Sequence, residues 1–224
     1  DKNGHATASG YDVQNRTTSA TDALGAVTRW SYDAVGNTLT QVDANDHTTT
    51  YAYDALDRLT TTTDPLGHVT SLAYDGPGPC AACTGPALGS RDVTRRTDAN
   101  GKVVYFKYDA LDRRIDVVEK VGSTADVLAP TDAVTAYTFD PNGNTLSVTA
   151  ANGTIMAFSY DAVNRRTRTV NAAGDVSVMT YDAASNVATI TGPQMNVSTN
   201  SYDALDRLIQ VDDTVGRVVS YQYD

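Results

Sequence analysis

Apolar and polar residues alternate in short runs along the whole chain. Ile115/Val117, Leu146/Val148, Ala188/Ile190 and Ile209/Val211 stand two residues apart, the period of a strand with one buried face. Downstream of such runs comes a turn of the form Asp-x-x-Gly, as in Asp22 to Gly25, Asp64 to Gly67, Asp98 to Gly101 and Asp213 to Gly216. A return strand then carries Val27, Val69, Val103, Val134, Ile155, Val176, Val197 and Val218 five residues before an aromatic-Asp pair. Two residues before that pair stand Trp30, Tyr51, Leu72, Phe106, Tyr137, Phe158, Met179 and Tyr221. The two series have opposite parity, so either a β-bulge changes the phase or both faces are partly covered. No segment shows a helical stripe.

The aromatic-Asp pair is itself the ruler of the chain. It falls at Tyr11, Tyr32, Tyr53, Tyr74, Tyr108, Phe139, Tyr160, Tyr181, Tyr202 and Tyr223, with steps of 21, 21, 21, 34, 31, 21, 21, 21 and 21 residues. A fixed period of this kind marks one supersecondary unit copied and stacked. Each copy opens with a turn such as Asp54-Ala55-Leu56-Asp57-Arg58. Its fourth residue after Tyr is Asn15, Gly36, Asp57, Asp112, Gly143, Asn164, Ser185 or Asp206, types that favour tight turns and, for Gly, Asn and Asp, positive φ. In the second turn the glycine is replaced by Asp46, Asp132 and Met195, and those turns are expected to differ.

The expected fold is all-β, with tandem 21-residue hairpins forming a curved, spiralling antiparallel sheet, a shell or solenoid segment. On the order of 20 strands at ~4.8 Å each would extend ~95 Å if continuous. Open sheets rarely exceed about 10 strands without curling, because strand twist accumulates. The expected organisation is one continuous array over residues 1–224, interrupted by a loop rich in Gly, Pro and Ala at 76–89 and by a second loop at 121–131. Asp1 shares the phase of Asp22, Asp43 and Asp64, so both ends are expected to be cut from a longer array.

Composition narrows the partners. A formal net charge of −10 argues against nucleic acid and anionic membranes, which call for a basic footprint. No apolar run approaches the length of a membrane span. Of 27 acidic residues only Glu119 is glutamate, a bias toward turns over helices.

Tandem Tyr-Asp-x-x-Gly/Asp-Arg/Asn, followed about eleven residues later by Asp-x-x-Gly, closely resembles the Rhs/YD-repeat family. Tyr53 to Tyr74 is the fullest copy, and the match spans the chain outside the two loops. The resemblance implies a large secreted or surface-displayed protein whose repeats wind into a β-sheet shell. In bacterial Rhs proteins and the C components of insecticidal toxin complexes such a shell holds a C-terminal toxin, and in teneurins a similar barrel serves adhesion. The expected partners are therefore the remainder of a longer chain and an enclosed passenger. The family's self-cleaving segment has no counterpart here.

Candidate sites are few. The Tyr/Asp ladder suits sugar or calcium binding, but rings that bury area and carboxylates that cap turns make structure the preferred reading. Cys80 and Cys83 form a Cys-x-x-Cys, read as a local disulfide or two thiols in preference to a metal site completed by His68, because two further ligands are not evident. His5, His47 and His68 share one phase of the repeat. Arg16, Arg58, Arg113, Arg165 and Arg207 follow the first turn and are expected in solvated turn-to-turn ion pairs of about 0–1 kcal/mol. No nucleophile–histidine set or phosphate loop is present, so neither catalysis nor a cofactor is expected. The rival readings are an extracellular glycan- or partner-binding adhesive array and a filament joined through exposed sheet edges.

Overall fold

A computed structural model describes residues 7–74, 92–121 and 128–224. Every regular element among them is a β-strand, and every pairing between them is antiparallel between sequence neighbours. The chain divides into two compact units, Asp1–Asp132 and Ala133–Asp224. The first holds β1(Ala8–Tyr11), β2(Thr17–Thr21), β3(Val27–Tyr32), β4(Thr38–Val42), β5(Thr48–Tyr53), β6(Leu59–Thr63), β7(Val69–Ala73), β8(Arg95–Thr97), β9(Val103–Tyr108) and β10(Arg114–Glu119). The second holds β11(Ala133–Phe139), β12(Thr145–Thr149), β13(Ile155–Tyr160), β14(Arg166–Val170), β15(Val176–Tyr181), β16(Val187–Thr191), β17(Val197–Tyr202), β18(Leu208–Asp213) and β19(Val218–Ser220). Each unit is a meander of hairpins, as the 21-residue period requires.

Both sequence classes of turn have one geometry. The N–H of the first residue bonds to the carbonyl of the fifth, as from Asp54 to Arg58 at 3.0 Å and from Asp64 to His68 at 2.9 Å. Among the described turns the fourth residue takes positive φ in all but the one ending at Asp132. This is a type I turn closed by a residue in the left-handed region. An aspartate in first place bonds through Oδ1 to the N–H groups of the third and fifth residues, as Asp54 does to Leu56 and Arg58. Asp46 and Met195 keep this turn, with φ of 60° and 62°, so the expectation that they depart from it is corrected. The backbone geometry is imposed by the two flanking strands, and the side chain conforms. Asp132 does depart: its carboxylate holds the end of the second loop.

The described hairpins that return from a Tyr or Phe through a five-residue turn each carry a bulge, whereas β7 and β8, joined past Tyr74 by the first loop, pair without one. Tyr32 faces Thr38 and Ser31 faces Thr40, leaving Leu39 as the extra residue. The same step leaves out Thr60, Ile115, Leu146, Thr167, Ala188 and Ile209. The apolar pairs seen in sequence therefore span a bulge, and only their second member joins the ladder, as Val117 opposite Phe106 and Ile190 opposite Met179. On the return strand no bulge intervenes. Val27 lies opposite Thr21 next to the second turn, on the face away from Trp30 and Tyr32, so both faces are partly covered there.

One face of each meander carries the ladder aromatics, half-buried, while its opposite is mostly hydroxyl-bearing, as in Ser31, Thr50, Thr180 and Ser201. On that second face Ser31 bonds to Thr40 at 2.6 Å, Thr138 to Ser147 at 2.6 Å and Thr180 to Thr189 at 2.7 Å. Among the described residues only Val103, Tyr105, Val118 and Lys120 are buried. Val103, Tyr105 and Val118 lie on one face of β9 and β10, the one away from Phe106 and Tyr108, and Lys120 directly follows β10. There Lys120 Nζ meets Asp132 at 2.6 Å, both side chains almost fully enclosed. Strand ladders and cross-strand pairs, not a two-layer core, hold the rest together.

Candidate functional site: the repeat-to-repeat seam

Seven of the ladder tyrosines join their hairpin to the one before it. Tyr32 donates its hydroxyl to the Thr17 carbonyl at 2.7 Å, and Tyr53 does the same to Thr38, Tyr74 to Leu59, Tyr108 to Val93, Tyr181 to Arg166, Tyr202 to Val187 and Tyr223 to Leu208. The acceptor always lies fifteen residues upstream, at the first residue of the preceding outgoing strand except for Val93, which lies two residues before β8. Burial pushes the Tyr53, Tyr74 and Tyr108 hydroxyls above the ordinary value of 10.0, which keeps them as donors. Phe139, lacking the hydroxyl, stands in the ladder by its ring alone.

The arginines complete the seam in a way the sequence reading missed. Their ion pair lies inside one turn: Arg16 Nε to Asp12 at 2.6 Å, Arg58 to Asp54, Arg165 to Asp161 and Arg207 to Asp203 at 2.7 Å. The turn-to-turn link is instead a guanidinium over the next tyrosine ring. Arg16 stands 4.7 Å from the Tyr32 centroid, Arg58 4.6 Å from Tyr74, Arg165 4.6 Å from Tyr181 and Arg207 4.7 Å from Tyr223. Arg16 Nη1 also donates to the Asp33 carbonyl at 2.8 Å. The fork geometry, planar and permanently charged, performs all three tasks at once.

Where the fifth turn residue is asparagine, the link runs to the fourth residue of the next turn. Asn37 Nδ2 reaches Asp57, Asn144 reaches Asn164, and Asn186 reaches Asp206, at 2.7 to 3.0 Å. Arg16 and Arg165 precede turns whose fourth residue is the small Gly36 or Ser185. Arg165 Nη1 bonds to the Ser185 hydroxyl. The signal was in the sequence as a pairing of residue types one period apart: Arg before a small residue, Asn before an acceptor.

Several turn carboxylates, among them Asp12, Asp161 and Asp203, are held ionised. The backbone N–H of the fifth residue, then its side chain, lowers Asp12, Asp161 and Asp203 below the ordinary 3.8 even though burial acts the other way. The Lys120 ammonium, followed by the Ala129 N–H, lowers Asp132. His47 and His68 each face the aspartate of their own turn, Asp43 at 3.1 Å and Asp64 at 2.8 Å, and both are exposed. Among the described residues no three His, Cys, Asp or Glu side chains form a metal-binding group. Cys80, Cys83, His5 and the 76–89 loop lie outside the described residues. No helix among them is long and apolar enough to cross a membrane.

Side chains that repeatedly bind a neighbouring hairpin of the same unit define a tandem β-hairpin repeat protein. The RHS Repeat family matches residues 11–45, 32–69, 139–176 and 160–194, more than half of the chain, and the protein belongs to that family. A crystal structure of TcdB2-TccC3-Cdc42 aligns with 97% of this chain at 17% identity and TM-score 0.58, covering 13% of the longer chain. The Photorhabdus luminescens Tc holotoxin pore with a mutated TccC3 aligns with 98% of this chain at 17% identity and TM-score 0.58, again covering 13% of that chain. These likenesses show the fold. This chain spans a small fraction of the solved chains it matches. No curated protein matches it significantly.

Proposed function

We propose that this chain is a stretch of wall in a larger, secreted or surface-displayed Rhs-repeat protein, that its units belong to one continuous array, and that the wall encloses a passenger without catalysis of its own. The observation that carries this is the seam. Repeatedly, a tyrosine hydroxyl and either a guanidinium over the next ring or an asparagine amide on the next turn are committed to an adjacent hairpin, so these recurrent residues hold neighbouring hairpins together. The similarity to Tc toxin structures supports a container, since the resemblance places a toxin within such shells. Guanidinium groups over Tyr32, Tyr74, Tyr181 and Tyr223 occupy the ring faces on which a sugar would stack, which weighs against the adhesive reading.

Limited proteolysis of the full-length protein tests this. A passenger resistant beside intact repeats, and cleaved once they are removed, is the expected result; equal cleavage in both cases would sink enclosure.

A further inference from the structure

Hairpin tips of this kind draw on two residue types at once. Glycine suits the fourth place, where φ is positive, and asparagine is at home in tight turns. Among the described residues the two meet at Asn100-Gly101, Asn142-Gly143 and Asn152-Gly153, with all three asparagines exposed. Asparagine is thermolabile, and with glycine after it the reaction is built into the chain. The glycine main-chain nitrogen attacks the asparagine Cγ; the new N–Cγ bond closes a succinimide, the Cγ–Nδ2 bond breaks, and the glycine proton leaves with the amide as ammonia. Water then opens either carbonyl of the ring, giving aspartate or isoaspartate. Solvent is the one co-reactant. Open space surrounds the Cα of each of the three glycines, so nothing blocks the attack.

The fold treats the three sites unequally. Their glycine N–H groups are held alike, bonded to the first-residue carbonyl at 2.9 Å in Gly101, 3.1 Å in Gly143 and 2.8 Å in Gly153. Their amides are not. Asn142 Nδ2 donates to Asn164 Oδ1 at 3.0 Å. Asn152 Oδ1 accepts from the Thr154 N–H at 3.0 Å and from its hydroxyl at 2.7 Å, because Ala150 in first place offers no carboxylate there. Asn100 has no such duty. Asp98 caps its turn, accepting from the N–H groups of Asn100 and Lys102, and the Asn100 side chain has no partner among the described residues. To bring Cγ to the glycine nitrogen, Asn142 and Asn152 must give up their bonds, whereas Asn100 gives up none. One hydrogen bond of ordinary strength slows such a step by roughly five-fold.

We infer that Asn100 is the preferred site of spontaneous deamidation among the described residues, with isoaspartate as a product. Its position makes the change consequential. Isoaspartate adds one carbon to the main chain inside the Asp98–Lys102 turn, so the closing bonds Asp98 N–H to Lys102 and Gly101 N–H to Asp98, both 2.9 Å, no longer fit together. β9 begins directly beyond, and its Val103 and Tyr105 are the largest fully buried side chains described. Ageing therefore loosens pairing where enclosure is greatest. None of this depends on whether the wall encloses a passenger.

Ageing the folded protein in neutral buffer tests it, with peptide mapping by mass spectrometry and carboxyl-methyltransferase labelling of isoaspartate. Asn100 is expected to convert about five-fold faster than Asn142 or Asn152, and the three rates to converge in denaturant, where only local sequence acts. Asn164→Gly keeps a residue suited to positive φ and removes the amide acceptor, so it should bring Asn142 up to the rate of Asn100. Aged wild type should melt below fresh protein, and aged Asn100→Ser should not. Equal or slower conversion at Asn100 in the folded protein overturns the inference. So does a lead that persists in denaturant, or an Asn142 rate that Asn164→Gly leaves unchanged.

Discussion

Tyr181 donates its hydroxyl to the Arg166 carbonyl at 2.7 Å while its ring lies 4.6 Å beneath the guanidinium of Arg165. One side chain thus closes two inter-hairpin contacts with consecutive residues of the preceding repeat.

Removing the hydroxyl alone separates them. Tyr181→Phe is expected to cost about 1 kcal/mol, one hydrogen bond to a carbonyl, and to lower the melting temperature. Tyr181→Ala removes the stacking too and costs more. Equal melting of Tyr181→Phe and wild type would show that water replaces the bond without loss.

Asparagine-linked turns predict a pairwise coupling. Asn186 bonds to Asp206 at 2.9 Å across one period, so Asn186→Ala and Asp206→Ala should be non-additive by about 0.5 kcal/mol or more in a double-mutant cycle. Asn186→Ala with Asn144→Ala, two repeats away in the same unit, should be additive.

Met195 holds a left-handed conformation, φ 62°, at an exposed tip. Met195→Gly is expected to stabilise the second unit by about 1 kcal/mol, because the L side chain is strained there. Gly174→Ala, at φ 87°, should destabilise by a similar amount. Chemical denaturation resolves both.

Acid should unravel the turns. Backbone and side-chain donors of the fifth turn residue lower the folded pKa of Asp12, Asp161 and Asp203 below the ordinary 3.8. Stability from these groups is present above the unfolded value and lost as pH falls through the lower folded one. The melting temperature should therefore hold from neutral pH down to about 5, then fall through and below the ordinary carboxylate range. A fall beginning near neutrality would point to another group.

The enclosed pair Lys120–Asp132 ties the end of the second loop to β10. Lys120→Met leaves a buried carboxylate and should lower the melting temperature of the first unit; adding Asp132→Leu should recover much of the loss, since an apolar pair avoids the desolvation. No recovery would show that the Val121 and Ala129 N–H contacts to Asp132 matter more than the charge pair.

Much of the fold was legible because local chemistry repeats. Positions tolerant of positive φ gave the turns, and the interval between Tyr pairs gave hairpins of fixed length. The parity conflict between Val27 and Trp30 could not be resolved from the sequence, which left open a bulge or cover on both faces; β3 runs between them without a bulge, so they lie on opposite faces. The arginines were assigned a turn-to-turn ion pair because charge is visible in a sequence, whereas the ring it covers lies in the following repeat. Burial of Val103 and Tyr105 was likewise hidden, because other repeats place comparable residues in the open.

By itself the sequence determined the repeat, the antiparallel hairpins and the identity of turn residues, all set within about one period by backbone sterics and side-chain capping. Tertiary structure alone decided which side chain of one repeat meets which atom of the next, where the phase shifts, and which face becomes enclosed. Those depend on register between strands, and register is fixed only when the ladder, the bulge and the tyrosine hydroxyl are satisfied together.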